Sequence, residues 1–295
     1  MTGKKSKIIA AVVMMAPFTL IFLVFTIIPI FSSLVLSFTN FDMLNAPVFT
    51  GFTNYIRMFG DRVLVIALRN TVMFALITGP LGFAVCFLFA WLINEWGSKI
   101  RAVFTLMFYA PTLAGNVYFI WLFIFSGDSY GIINSNLMRL GFIKDPILWT
   151  TDPRYNFWVV VVVMLWMSLG AGFLSFIAGL QGINPEHYEA GAIDGIKNRW
   201  QELFYITIPQ MVPQMLFATV MAIAVSFAVG YQAMALTGFP STDYSTHTIV
   251  LHLLDYGAIR FEMGYASALA VLLFALMLIV WTVIKRLLSR LSENI

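Results

Sequence analysis

The side chains best suited to hold a ligand are uncharged and lie within long apolar stretches. They combine hydrogen-bonding groups with flat aromatic faces, and they are Asn116, Tyr118, Trp166, Ser168, Tyr231 and Gln232. An amide in hydrocarbon is costly unless it finds a partner or a wet cavity. We therefore expect Asn116 and Gln232 either to line a path for a polar solute or to hydrogen-bond between helices.

Packing is the competing interpretation for the other candidates. Tyr118 and Trp166 also suit an aromatic belt at a membrane surface. Ser168 stands beside Gly170 and Gly172, and such small residues are typical of closely packed helices. These residues are therefore candidates for a solute path and do not by themselves define a site.

Motifs for catalysis and for nucleotide binding are missing from the sequence. It contains no H-E-x-x-H, no G-x-S-x-G and no G-x-x-x-x-G-K-[ST]. The paired Asn-Pro-Ala boxes of water and glycerol channels are absent as well. We assign no catalytic and no metal-ligating residue, and we expect the chain to bind no cofactor. If it moves a solute uphill, another protein must supply the energy.

The elements that position these residues follow from composition. The chain has 295 residues, of which 60% are hydrophobic and 11% are charged, whereas soluble domains carry about 25% charged residues. Six stretches lack Asp, Glu, Lys and Arg, and each can hold the ~20 residues that cross a membrane. We predict one all-α integral membrane domain over 1–295, with spans at 9–37, 70–94, 102–126, 156–180, 211–236 and 264–286. The first span is expected to be a retained anchor rather than a signal peptide.

Charge distribution bears on energy and orientation. A proton- or cation-coupled carrier usually needs an ionisable group inside the membrane, and the spans offer none. Cations concentrate in the segments that share a side with the N-terminus, which predicts cytoplasmic termini. These cations are Lys4, Lys5, Lys7, Lys99, Arg101, Lys197, Arg199, Lys285, Arg286 and Arg290.

The loop at 181–210, between the fourth and fifth spans, is the most informative segment. Asn184 and Pro185 predict an N-cap and a first helical position, and Gly195 predicts a stop. A second helix should follow, with one apolar face formed by Trp200, Leu203, Phe204 and Ile208. Such a loop either rests on lipid or docks onto a cytoplasmic partner, and composition does not choose between the two.

The same loop carries a family resemblance. The run Glu189-Ala190-Gly191-Ala192-Ile193-Asp194-Gly195, followed by Ile206-Thr207-Ile208-Pro209, resembles the E-A-A loop of binding-protein-dependent ABC importer permeases. Gly191 stands where the pattern has a second Ala, Ile208 stands in place of Leu, and the spacer is one residue longer. Weaker pieces such as Gly264-Tyr265-Ala266-Ser267-Ala268 are similar to the carbohydrate branch, the class of the maltose and multiple-sugar importers.

The resemblance implies a type I ABC importer permease fold with a coupling helix that engages an ATPase subunit. The coupling residues would be Glu189, Ala190, Gly191, Asp194, Gly195, Trp200, Ile208 and Pro209. The implied partners are a pair of ATP-binding subunits that hold ATP and Mg²⁺, a second homologous permease subunit that family resemblance favours as a different chain, and an extracytoplasmic solute-binding protein. The loops at 42–69, 128–154 and 237–262 would meet that binding protein.

The implied function is non-enzymatic import of a sugar or oligosaccharide across a bacterial or archaeal plasma membrane. Glycerol phosphate or another small polar solute is an alternative, because permeases for those solutes share the same motifs. A self-sufficient channel or carrier is a further alternative. It would need a pore lined by its own polar groups, of which the spans offer few.

Overall fold

The computed structural model of the chain describes residues 2–115 and 117–293, and the side chains of residue 7 and residues 9–286 among them. Over these residues the chain is helical, and its one β-type pairing is an isolated bridge between Thr39 and Phe49. The α-helices are Thr2–Phe22, Ile28–Leu36, Thr53–Gly60, Arg62–Asn94, Ser98–Leu113, Tyr118–Ile124, Ile132–Arg139, Asn156–Met167, Ala171–Gln181, Pro185–Ile193, Arg199–Glu202, Ile208–Gln210, Val212–Phe227, Tyr231–Thr237, Ile249–Leu254 and Met263–Glu293. Short π- or 3-10 segments are Leu23–Ile27, Leu203–Thr207, Thr242–Tyr244 and Asp255–Ile259.

In the part of the chain that the structure describes, four helical stretches are long and apolar enough to cross a membrane: Ile9–Leu36, Arg62–Asn94, Asn156–Gln181 and Met263–Arg286. Two bent pairs bring the number to as many as six if each pair is one span, namely Ser98–Leu113 with Tyr118–Ile124 and Arg199–Gln210 with Val212–Phe227. The all-helical membrane class is thus confirmed, and the count of six depends on the bent pairs.

One compact unit joins the chain up to Arg62 with His252–Phe274. The buried Asn54 donates from Nδ2 to the carbonyl oxygens of Ser37 and Thr39, at 2.9 and 2.7 Å. Asp61 Oδ2 accepts a hydrogen bond from the Tyr265 hydroxyl at 2.9 Å and lies 2.9 Å from His252 Nε2. Sequence reasoning expected His252 in an open loop. It lies instead in the Ile249–Leu254 helix and is 2% exposed.

The first span belongs to this unit and packs on little of the chain. None of the most apolar window within Ile9–Leu36 is buried, although the stretch has a mean hydropathy of 2.6. Large side chains such as Met14, Phe18 and Phe25 are exposed over most of their surface. An apolar helix of this kind is stable only in lipid or against another membrane chain.

The other unit comprises Val63–Leu251 and the chain from Ala275 on. Its core lies where Ala171–Gln181 packs along Val212–Phe227, with Phe173, Phe176 and Ala218 buried. Glycine permits the close approach, since a Cβ on Gly179 would lie 2.7 Å from Gln214 Cγ. Rings of the second span close this core from the side, where Phe83 and Phe87 each stand 5.3 Å from the Phe176 ring.

Residues 238–248 of the same unit form what we call the pinned segment. Asn70 Nδ2 donates to the carbonyl oxygens of Tyr244 and His247, both at 2.9 Å. Asn156 Nδ2 donates to Ser245 Oγ at 2.6 Å. The sequence placed this stretch in an open loop, but its Thr246 and His247 are buried because distant side chains satisfy its polar groups.

Candidate functional site

Two helix breaks stand at the centre of the Val63–Leu251 unit. One separates Asn156–Met167 from Ala171–Gln181, and the other separates Val212–Phe227 from Tyr231–Thr237. Gly170 and Gly230 follow these breaks with backbone angles outside the helical range. Glycine is needed at position 230, because a Cβ there would collide with the side chain of Val250. The predicted fourth and fifth spans are therefore interrupted helices rather than continuous ones.

Side chains satisfy several backbone groups that the breaks release. The Cys86 thiol donates to the Ser168 carbonyl at 3.0 Å, and the Thr248 hydroxyl donates to the Val229 carbonyl at 2.6 Å. The Gly230 N–H donates to Gln232 Oε1 at 3.3 Å. Irregular backbone at membrane depth is tolerated where it lines a cavity or is buried in protein, and both conditions are met here.

A cavity of about 240 Å³ opens beside these breaks. Its polar lining consists of hydroxyls, one thiol and one amide, contributed by Thr78, Cys86, Thr112, Ser168, Ser226 and Gln232. Met164, Met167, Met221, Phe83 and Phe176 supply apolar and aromatic surface. None of the described residues that line it carries a charge. The site can therefore hydrogen-bond a neutral polar molecule, and it offers no counter-ion to an anion or a cation.

The structure divides the six candidates named from the sequence. Ser168 and Gln232 line the cavity, while Tyr118, Trp166 and Tyr231 are not among its lining residues. Tyr118 and Tyr231 instead face each other with ring centroids 5.8 Å apart, and Trp166 packs against Trp121 at 5.3 Å. Asn116 lies outside the described residues.

Sequence reasoning missed Thr78, Thr112 and Ser226 because hydroxyls are common in apolar helices and usually bond to their own backbone. The Thr78 and Ser226 hydroxyls do so here, to Phe74 and Ile223. A glycine within the second span was the sequence signal that could have indicated this cavity. Gly82 lines the cavity, and a Cβ there would lie only 3.1 Å from Ser168 Cβ, so this glycine marks a wall.

The helical loop at 181–210 begins and turns at the residues that the sequence indicated. Asn184 caps the Pro185–Ile193 helix by accepting from the Glu186 N–H at 3.2 Å. Gly195 has a φ of 93°, a conformation that L side chains rarely adopt. The Ile196 N–H donates back to the Gly191 carbonyl at 2.9 Å, which closes the helix end.

The two halves of the helical loop are packed on each other through Gly191. A Cβ there would lie 2.5 Å from Ile206 Cδ1 and 3.0 Å from Ile196 Cδ1. The departure from the family's second Ala therefore has a local cause, since large side chains fill that space. The Tyr188 hydroxyl adds a hydrogen bond with Thr207 Oγ1 at 3.0 Å.

The outward face of this loop carries four of the eight coupling residues named from the sequence. Glu189, Ala190, Asp194 and Gly195 are exposed, and the adjacent Ile193 is 86% exposed. Pro209 is half-buried near the entry to the fifth span. Because these side chains are exposed rather than packed within the described loop, this face suits docking to a partner.

The predicted apolar stripe of the second loop helix is only partly right. Leu203 is buried, but Trp200 and Phe204 are mostly exposed and Ile208 is half-buried. The reason is the π-turn at Leu203–Thr207, which changes the angular register, so that the buried face is formed by Leu203, Ile206 and Thr207.

Comparison with known proteins places the chain in a family. Residues 85–293 match the family described as binding-protein-dependent transport system inner membrane component. The chain belongs to this family. The resemblance inferred from the sequence is thereby confirmed, and the protein is a permease component of a transport system.

Two sequence relatives cover most of the permease. It is 30% identical to the lactose transport system permease protein LacF of Rhizobium radiobacter, over 87% of this chain and 85% of that one. It is 30% identical to the arabinooligosaccharides transport system permease protein AraP of Bacillus subtilis (strain 168), over 93% and 87%.

A solved structure has the same fold. It is described as a bacterial ABC transporter involved in the import of the acidic polysaccharide alginate, and it matches with a TM-score of 0.78 over 98% of this chain and 97% of that chain. The identity is 23%. The type I permease fold expected from the sequence is therefore confirmed.

Proposed function

We propose that this permease carries an uncharged sugar or oligosaccharide inward through the cavity beside the two helix breaks. The observation that supports this most directly is the lining, which combines six polar side chains with methionine and phenylalanine surface and has no charged member. Sugars need hydrogen-bond partners together with apolar faces for their C–H surfaces. The names of LacF and AraP point to the same substrate class.

We also propose that the helical loop is the coupling element that a partner ATPase engages. Its outward residues Glu189, Ala190 and Asp194 are exposed, and the Gly195 turn and the Gly191 contact hold the two halves together as one body. A loop that moves as one rigid body can transmit a movement of the ATPase to the membrane-spanning helices. ATP and Mg²⁺ would then be held by the partner, and this chain would take no part in hydrolysis.

The remaining partners follow from the surfaces left uncovered. The unburied first span supports contact with a second, homologous permease subunit. An extracytoplasmic solute-binding protein would dock on the side opposite the helical loop. This arrangement requires a multi-pass chain in a prokaryotic plasma membrane with both termini in the cytoplasm.

Reconstitution tests the proposal. Vesicles containing this permease with its companion permease and ATPase are supplied with ATP and a sugar-loaded binding protein, and uptake of labelled neutral oligosaccharides and of glycerol phosphate is measured. ATP-dependent uptake of the neutral sugars alone is expected. Uptake by this chain without companions would support the self-sufficient carrier, and preferred uptake of glycerol phosphate would contradict the neutral substrate.

A further inference from the structure

The helical loop contacts the end of the second span through Arg199 and Trp200, and only Trp200 is among the coupling residues named above. Arg199 Nη2 lies 2.8 Å from Glu95 Oε2, directly after the end of the Arg62–Asn94 helix. The Trp200 ring stands 5.4 Å from the ring of Trp91, which is four residues before Glu95. Two neighbouring loop residues therefore contact two residues on one side of the second span.

The guanidinium of Arg199 is held from both directions. Its Nη1 donates to Glu202 Oε2 at 2.7 Å, within the loop, while Nη2 faces Glu95. The hydrogen bond with Glu202 and the charge of Glu95 raise the pKa of Arg199, so the group is cationic at any working pH. The side chain thus joins the loop helix to the end of a different span.

The second span supplies a wall of the cavity. Thr78, Gly82, Phe83 and Cys86 line it, and Trp91 lies about 20 Å along the same helix from Thr78 at 1.5 Å per residue. Pro80 interrupts the backbone hydrogen bonding close to Thr78, but the helix is continuous from Phe83 to Trp91 and is stiff over that stretch. The second span therefore offers a route by which a movement of the loop can reach the cavity, in addition to the chain that continues into the broken fourth and fifth spans.

We propose that Trp91 and Glu95 are positioning residues that clamp the coupling loop to the second span and transmit its movement to the cavity wall. This inference rests on the proposed coupling role of the loop. The clamp predicts a specific result. When the Trp91–Trp200 and Glu95–Arg199 contacts are removed, the ATPase should still dock and hydrolyse ATP, but less solute should enter for each ATP consumed.

The experiment measures solute import and ATP hydrolysis in the same vesicles, with the assembled transporter and loaded binding protein. Trp91→Ala combined with Glu95→Gln is expected to lower import per ATP about fivefold, the combined size of an aromatic contact and an exposed ion pair. The matched control is Trp96→Ala, which removes an exposed indole from the same helix end that contacts Phe104 rather than the loop. It should leave import per ATP unchanged.

A rescue separates transmission from simple support of the fold. Glu95→Cys with Arg199→Cys should lose part of the coupling, because only the Trp91–Trp200 contact remains, and a short bis-maleimide that bridges the two thiols should restore it. Normal import per ATP in the Trp91/Glu95 variant, or a cross-link that restores nothing, would overturn the clamp while leaving the proposed function standing. Absence of ATP-driven import by the wild-type assembly would overturn both.

Discussion

The helical loop and the pinned segment differ in where their stabilising contacts come from. The pinned segment is held by side chains far away in sequence, since Asn70 reaches it across 174 and 177 residues. The helical loop is held mainly by itself, through Gly191 against Ile206 and Tyr188 with Thr207. A segment fastened from outside is fixed relative to its unit. A segment fastened internally can move as one body, which is what a coupling element requires.

Asn70→Ala should have the largest effect on stability, because it acts on the pinned segment. The substitution removes the amide that donates hydrogen bonds to the Tyr244 and His247 carbonyls. Losing both hydrogen bonds should lower the free energy of unfolding by about 2–4 kcal/mol. Thermal unfolding in detergent measures the change. Asn136→Ala is the control, since its amide donates to the Ile132 carbonyl in an exposed helix, and it should change the midpoint little. Equal shifts in the two variants would mean that Asn70 does not hold the pinned segment in place.

Gly191→Ala should have the second-largest effect on stability, and that effect should be confined to the helical loop. The new methyl group meets Ile206 and Ile196, and overpacking of this kind costs about 1–3 kcal/mol. Proteolysis of the loop should accelerate while the melting of the whole chain changes little.

A second substitution tests that mechanism. Ile206→Val removes the Cδ1 atom nearest to the new methyl group, so Gly191→Ala with Ile206→Val should recover protection. If the double variant is cleaved as fast as the single one, the two residues do not share the space as described.

The difference in attachment also explains how far the sequence was informative. Asn184, Pro185 and Gly195 marked the loop correctly, because caps and left-handed turns follow from local backbone rules. The breaks at Gly170 and Gly230 did not stand out, since a glycine in an apolar run also suits a continuous span. The burial of His247 could not be anticipated, because it depends on Asn70 and on a fold that brings the two together.

Gly195→Val tests whether the turn of the loop matters for coupling. A β-branched residue at a φ of 93° costs about 1–2 kcal/mol and should displace the Pro185–Ile193 helix from its partner half. Insertion and thermal unfolding should remain near wild type, while ATP-driven import is lost. Gly141→Val is the control for backbone strain alone, because Gly141 also has a positive φ, 76°, and lies just after the Ile132–Arg139 helix, outside the helical loop. Its thermal unfolding should match that of Gly195→Val. Transport by Gly195→Val at the wild-type rate would separate the loop from coupling.

Tyr188→Phe should have the smallest effect, and it measures how much the internal hydrogen bond contributes to keeping the loop one body. The change removes the hydroxyl that lies 3.0 Å from Thr207 Oγ1, but Thr207 still donates to the Glu202 carbonyl at 3.3 Å. Because a partner remains, the loss should be about 0.5–1 kcal/mol rather than that of an orphaned group. Hydrogen exchange should speed up modestly across Leu203–Thr207 and leave the pinned segment unchanged. Tyr205→Phe, at a neighbouring position that is 73% exposed, should alter neither. Faster exchange in the pinned segment after Tyr188→Phe would mean that the two regions are not held independently, and the loop would then be a poor candidate for a part that moves as one body relative to the pinned segment.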